Sequence, residues 1–258
     1  MTKKLLLIPI AALMLWNCSS TVDTSQFNSE EFFNYTMELY NNEDYEKAVQ
    51  EFQALILQFP GSAVSDDAQY YLGMTYFKRD QFLLAAYEYS KLIRNIPASP
   101  FVADAQFMLA ESYYQLSPPY QLDQAYTKKS IEEFQAFIDF FPSNNKVEEA
   151  TRKIKEMTEK LAEKEYRAAL IYERMEYDKA AIKYYQNVAE IYHDTKFAPI
   201  ALYNKIQLEL KKEMKKEAIA DISIFLNRYA QDENAGKLRD IEAELTKEIG
   251  RASCRERV

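Results

Sequence analysis

Glycine is nearly missing from this chain: there are four in 258 residues, beside a single histidine and two cysteines. Few glycines leave few tight turns and few backbone cradles for phosphate, which argues against dinucleotide-binding and P-loop folds. The lone histidine, His193, cannot build a multi-histidine metal set, and it stands where three related segments carry proline, so it reads as a helix-ending turn residue. No Gly-x-Ser-x-Gly elbow and no metal-ligand cluster is present, and no cofactor, metal site or enzymatic activity is expected. Cys18 and Cys254 lie near opposite ends, which makes a disulfide framework improbable. Asp and Glu (40) outnumber Lys and Arg (32), for a formal charge of −8, so a nucleic-acid partner is not expected.

What the chain does contain begins with MTKKLLLIPIAALMLWNC. Lys3 and Lys4 precede an apolar run from Leu5 to Trp16, too short to span a bilayer comfortably, and Cys18 follows. This is the layout of an export signal, assigned to residues 1–17. Residues 18–28 then form a polar tether, SSTVDTSQFN following the cysteine.

Beyond Ser29 the sequence is helical and repetitive. Five segments align: YEKAVQEFQALILQFP, FLLAAYEYSKLIRNIP, TKKSIEEFQAFIDFFP, DKAAIKYYQNVAEIYH and KKEAIADISIFLNRYA. Each carries a small residue (Ala48, Ala85, Ser130, Ala181, Ala218) with its last residue twelve positions on. A small residue lets two helices approach, and proline ends the second helix of a pair. One pair cannot bury its apolar face alone, so pairs must stack. Two insertions interrupt the period: the loop SPPYQLDQ, and the charged stretch from Lys146 to Met175, which predicts an unusually long first helix in the fourth pair. The expectation is an all-α chain, with repeats one to three in 29–143 and repeats four and five plus a capping helix in 144–249. GRASCRERV at 250–258 departs from the pattern and reads as a tail foreign to the fold.

Aromatics recur with the repeats. Phe33 and Tyr40, Tyr70 and Phe77, and Phe107 and Tyr114 are pairs seven residues apart, each on one helix face, and the pairs recur every 37 residues. Met74 joins them, and Glu30, Asp67 and Asp104 flank them. Two readings remain open. The rings line a trough that accepts an extended peptide with aromatic side chains, or they pack one first-helix against the next. Lys211, Lys212, Lys215 and Lys216 form one basic cluster at a turn, read as a solvated loop.

The pattern resembles the tetratricopeptide repeat: Phe32, Tyr35, Thr36 and Leu39 are matched by Gln69, Leu72, Gly73 and Tyr76, then by Gln106, Leu109, Ala110 and Tyr113. In the fifth repeat Lys205 and Glu209 stand where core residues are expected. The resemblance implies a right-handed superhelical solenoid of about five helix pairs plus a C-terminal helix, with the ring face lining the concave groove. Leu15-Trp16-Asn17-Cys18 resembles a lipobox, implying acylation of Cys18, and Ser19 after it resembles outer-membrane rather than inner-membrane sorting. With YYQLSPPYQLDQAYTKKSIEEFQAFIDFFPSN the whole resembles the BamD family of outer-membrane assembly lipoproteins. That resemblance implies a lipid-anchored periplasmic scaffold. Its N-terminal repeats would bind the C-terminal segments of unfolded outer-membrane proteins through Phe33, Tyr40, Tyr70, Met74, Phe77, Phe107 and Tyr114. Its C-terminal repeats would bind the barrel-forming assembly subunit. The alternative is a repeat lipoprotein that coordinates cell-wall or other envelope complexes.

Overall fold

The computed structural model describes residues 23–255, with side chains to residue 248. Residues 1–17, read above as an export signal, and Cys18 lie outside the described residues. Eleven helices occur among those described: α1 Ser29–Asn41, α2 Tyr45–Gln58, α3 Ser65–Lys78, α4 Phe82–Asn95, α5 Val102–Gln115, α6 Ala125–Phe140, α7 Val147–Arg174, α8 Asp178–Ile191, α9 Phe197–Lys211, α10 Lys215–Arg228 and α11 Ala235–Arg255. They form five antiparallel pairs and a terminal helix, each packed on the next in chain order. The long α7 falls where the charged insertion predicts it, and it spans 28 residues. α11 continues through Gly250 to Arg255, so the helix does not stop where the tail composition changes.

Each pair closes in the same way. The small residues Ala48, Ala85, Ser130, Ala181 and Ala218 are fully buried. Beside each stands a large side chain four positions on: Phe52, Tyr89, Phe134, Tyr185 and Ile222, all at 0% exposure. Close approach at the small residue and bulk one turn later give the ridge-and-groove fit that holds a helix pair. The chain enters α1 through a capping box: the Asn28 side chain accepts from the backbone of Glu30 and Glu31, and Glu31 accepts from the Asn28 amide at 3.0 Å.

The turns inside the pairs explain how the chain dispenses with glycine. Glu43, Asp80, Glu176 and Glu213 adopt left-handed φ of 57–61°. The next residue's amide then bonds back five positions, Asp44 to Leu39, Gln81 to Tyr76, Tyr177 to Tyr172 and Met214 to Glu209, at 2.9–3.0 Å. This is the Schellman closure, usually built on glycine. Here acidic residues hold it, in every pair except the third, whose turn is replaced by the loop from Leu116 to Gln124.

The two polar core positions of the fifth pair are explained by ionic pairing. Lys205 and Glu209, both buried, meet at 3.1 Å, and Lys205 also pairs with Asp221 of α10. Burial opposes the Lys205 charge, but the two carboxylates outweigh it and raise its pKa. Burial, with the neighbouring Asp221 carboxylate adding to it, pushes the Glu209 carboxyl up to about 7. One Glu209 oxygen has no partner among the described residues.

Candidate functional site

The recurring rings of the first three pairs separate into two groups. Phe33 packs on Phe52 of its own pair (centroids 6.2 Å apart) and on Tyr71 of the next (6.1 Å). Tyr70 likewise meets Tyr89 at 5.9 Å and stacks on Phe101 at 4.8 Å, 18° from parallel. Phe107 meets Phe134 and Phe137 at 5.5 and 5.3 Å. Packing between helices is therefore the common use of this position. For Phe107 it is the whole use: the ring is 5% exposed and belongs to the core, and the expectation that it lines a groove is corrected. Phe33 and Tyr70 keep part of their surface.

The cause of the difference is α7. The lysine that precedes it and those along it reach across the third pair at seven-residue intervals. Lys146 bonds Asp104 at 2.8 Å, Lys153 pairs with Glu111, and Lys160 donates to Ser117 Oγ at 2.9 Å. Lys164 continues the row to the Leu122 carbonyl at 2.8 Å. Lys146 lies 5.0 Å from the Phe107 centroid and Lys153 lies 4.5 Å from that of Tyr114. The Tyr114 hydroxyl donates to Glu156 at 2.8 Å, and burial and then this bond lift its pKa to about 12. Phe107 is thus closed over, while Tyr114 has the Lys153 ammonium against its ring and stays half-buried, keeping part of its surface.

What remains open is a seam along α1 and α3. Its centre is Tyr71, which the 37-residue recurrence does not reveal because Asn34 and Met108 hold the equivalent positions. Tyr71 touches Phe33, Tyr40, Phe52, Tyr70 and Phe101, with centroids 5.5–6.4 Å away. Tyr40 is half-buried between Tyr71 and Tyr45. Met74 and Phe77 extend the row along α3, both half-buried, with Phe77 against Phe82 at 5.1 Å. Burial raises the pKa of Tyr40 and lifts that of Tyr70 to about 12, with Asp104 contributing to the latter. At neutral pH the seam is uncharged, and burial also raises Asp67 at its margin, with Asp66 adding to the effect. The arrangement offers apolar ring edges with hydroxyls among them, suited to an aromatic or aliphatic side chain rather than to chemistry.

A family model described as YfiO, outer membrane lipoprotein, matches residues 25–223. The chain belongs to the YfiO outer membrane lipoprotein family. The match spans all five YfiO-family helix pairs up to the middle of α10, including the seam and the lysine row. A curated relative, the outer membrane protein assembly factor BamD of Rickettsia prowazekii (strain Madrid E), is 28% identical over 222 residues, 84% of this chain and 88% of the relative. Among solved structures, the tetratricopeptide domain of yeast Sti1 in complex with an Hsp90 peptide is 13% identical (TM-score 0.42), covering 88% of this chain and 86% of that one. A thermophilic tetratricopeptide protein from Thermus thermophilus is 16% identical (TM-score 0.36), covering 85% and 99%.

Proposed function

We propose that this YfiO-family protein is a non-catalytic assembly factor for outer membrane proteins, whose first two helix pairs hold an aromatic segment of an unfolded substrate along the Tyr40–Tyr70–Met74–Phe77 seam. The observation that carries the reading is the incomplete burial of these rings around Tyr71. A fully packed core would close over them, yet they lie against it half-buried. The relative's role in outer membrane protein assembly supports the substrate class. Each apolar side chain buried there contributes roughly 1.5–3 kcal/mol before the ordering cost of the peptide, so binding is modest and reversible. That suits a step which passes its substrate onward. Acylated Cys18 anchors the protein to the outer membrane, facing the periplasm, and the C-terminal pairs dock on the barrel-forming subunit.

The test is fluorescence anisotropy with a peptide ending in phenylalanine. Tyr40→Ala with Met74→Ala should weaken binding about tenfold or more while circular dichroism stays helical. Unchanged affinity in the folded double variant removes the seam from substrate binding. For the anchor, Cys18→Ser should shift the protein from the membrane pellet to the soluble fraction, and continued sedimentation would require another attachment.

A further inference from the structure

On the surface of α7, a concave region of about 460 Å³ lies between Tyr120 of the inserted loop and the side chains of Lys164, Arg167, Leu170, Ile171 and Arg174. Its floor is apolar, and Ile171 stands 55% exposed within it. The rim is cationic in a chain whose net charge is −8. Arg167 is turned over the Tyr120 ring at 6.0 Å and pairs with Glu163 at 3.2 Å. Lys164 instead spends its protons on the Tyr120 and Leu122 carbonyls, so its positive charge meets no carboxylate among the described residues. Arg174, at the far end, likewise forms no ion pair among the described residues. Ten residues of helix separate those two charges, about 15 Å.

We infer that this groove is a second docking site, separate from the ring seam, and that its occupant is an acidic peptide segment of a partner protein. Two carboxylates of the peptide pair with Lys164 and Arg174 while an apolar side chain between them covers Ile171. An extended strand covers the same span in four to five residues, at about 3.3 Å each. Charge complementarity favours an acidic occupant: here two cations without a carboxylate partner among the described residues flank an exposed apolar side chain, whereas nearer the start of the helix Lys146 is taken by Asp104 and Lys153 by Glu111. The loop is fixed in place by Gln124, whose amide donates to the Pro119 and Leu122 carbonyls at 2.9 and 3.1 Å. The site is therefore largely preformed, which lowers the cost of binding.

The inference does not rest on the seam, and its test is independent. The full chain, held in zwitterionic lipid nanodiscs, is titrated with labelled peptide Asp-Leu-Phe-Leu-Glu and with its counterpart Lys-Leu-Phe-Leu-Lys. The acidic peptide should bind and the basic one should not, with affinity falling as salt rises. Arg174→Glu and, separately, Ile171→Asp should each weaken binding about tenfold or more, while Tyr40→Ala with Met74→Ala leaves it unchanged. Equal binding of the two peptides, or full affinity in both folded groove variants, overturns the assignment. Displacement of the peptide by nanodiscs containing phosphatidylglycerol would also overturn it, identifying the face as a lipid contact.

Discussion

A Cβ placed on Gly73 would lie 2.7 Å from Cε1 of Tyr89, closer than two carbons can approach. Gly73 stands on α3 where three other first helices carry Thr36, Ala110 and Ala169 and the fifth carries Ile206, and its facing residue is the fully buried Tyr89. Tyr89 cannot retreat, being fully buried in the core and tilted against Tyr70. Gly73→Ala should therefore destabilise the fold by about 1–3 kcal/mol through overpacking, despite the better helix propensity of alanine. The Tyr89 hydroxyl has no partner among the described residues. Tyr89→Phe should accordingly be neutral or stabilising by up to about 1 kcal/mol, since it removes a buried unpaired group. Denaturant melts of both variants check the pair, and a stabilised Gly73→Ala would refute the contact.

The four left-handed turn residues give a second expectation. A non-glycine residue in this conformation costs roughly 1–2 kcal/mol, part of which glycine returns as unfolded-state entropy. Replacing Glu43, Asp80, Glu176 or Glu213 by glycine should then raise stability by about 0.5–1 kcal/mol at each site, additively because the turns lie on separate pairs. Thermal melts of the single and fourfold variants measure it. A fourfold variant that melts lower would mean that the acidic side chains contribute something the backbone does not show.

The repeats were legible because their cause is local. A small residue, a bulky one four later and a terminating proline or turn are all set within one pair, so periodicity reports them directly. Misreading Phe107 has a different origin. The ring recurs in register with Phe33 and Tyr70, but its environment is decided by α7, which begins forty residues later in sequence. A signal was present: Lys146, Lys153 and Lys160 keep the seven-residue spacing of Asp104 and Glu111, as two facing helices must. Tyr71 escaped for the opposite reason, having no equivalent in the neighbouring pairs. In the fifth pair, Lys205 and Glu209 look like a weakened repeat until Asp221 is seen across from them on α10.

That cluster makes stability depend on pH with a definite sign. The folded state lifts the Glu209 carboxyl from the ordinary carboxylate range to about 7, so between those values the folded protein holds a proton that the unfolded chain has lost. Stability from this group is full at low pH and is lost as pH rises toward 7. Glu209→Gln mimics the protonated form and should stabilise the protein by about 1–3 kcal/mol at pH 8, with little change at pH 4.5. Unfolding curves at the two pH values decide it. An equal effect at both would show that the proton is not shared in the folded cluster.

Lys153 and Glu111 offer the contrasting case, a buried pair in which each charge depends on the other. Their side chains are 9% and 11% exposed, and Lys153 also lies over the Tyr114 ring and within 3.4 Å of Glu149. Lys153→Met leaves Glu111 buried without its cation and should cost about 3–5 kcal/mol, and Glu111→Leu alone should cost a similar amount. The double variant Lys153→Met with Glu111→Leu removes both charges and should recover most of that loss, because an apolar pair of similar volume needs no compensating partner. Chemical denaturation of the three variants forms a double-mutant cycle. Additive losses would mean that α7 is held on α5 by its apolar contacts alone. Strong coupling would make the lysine row a feature that holds α7 over the third pair, where Phe107 is closed off from solvent.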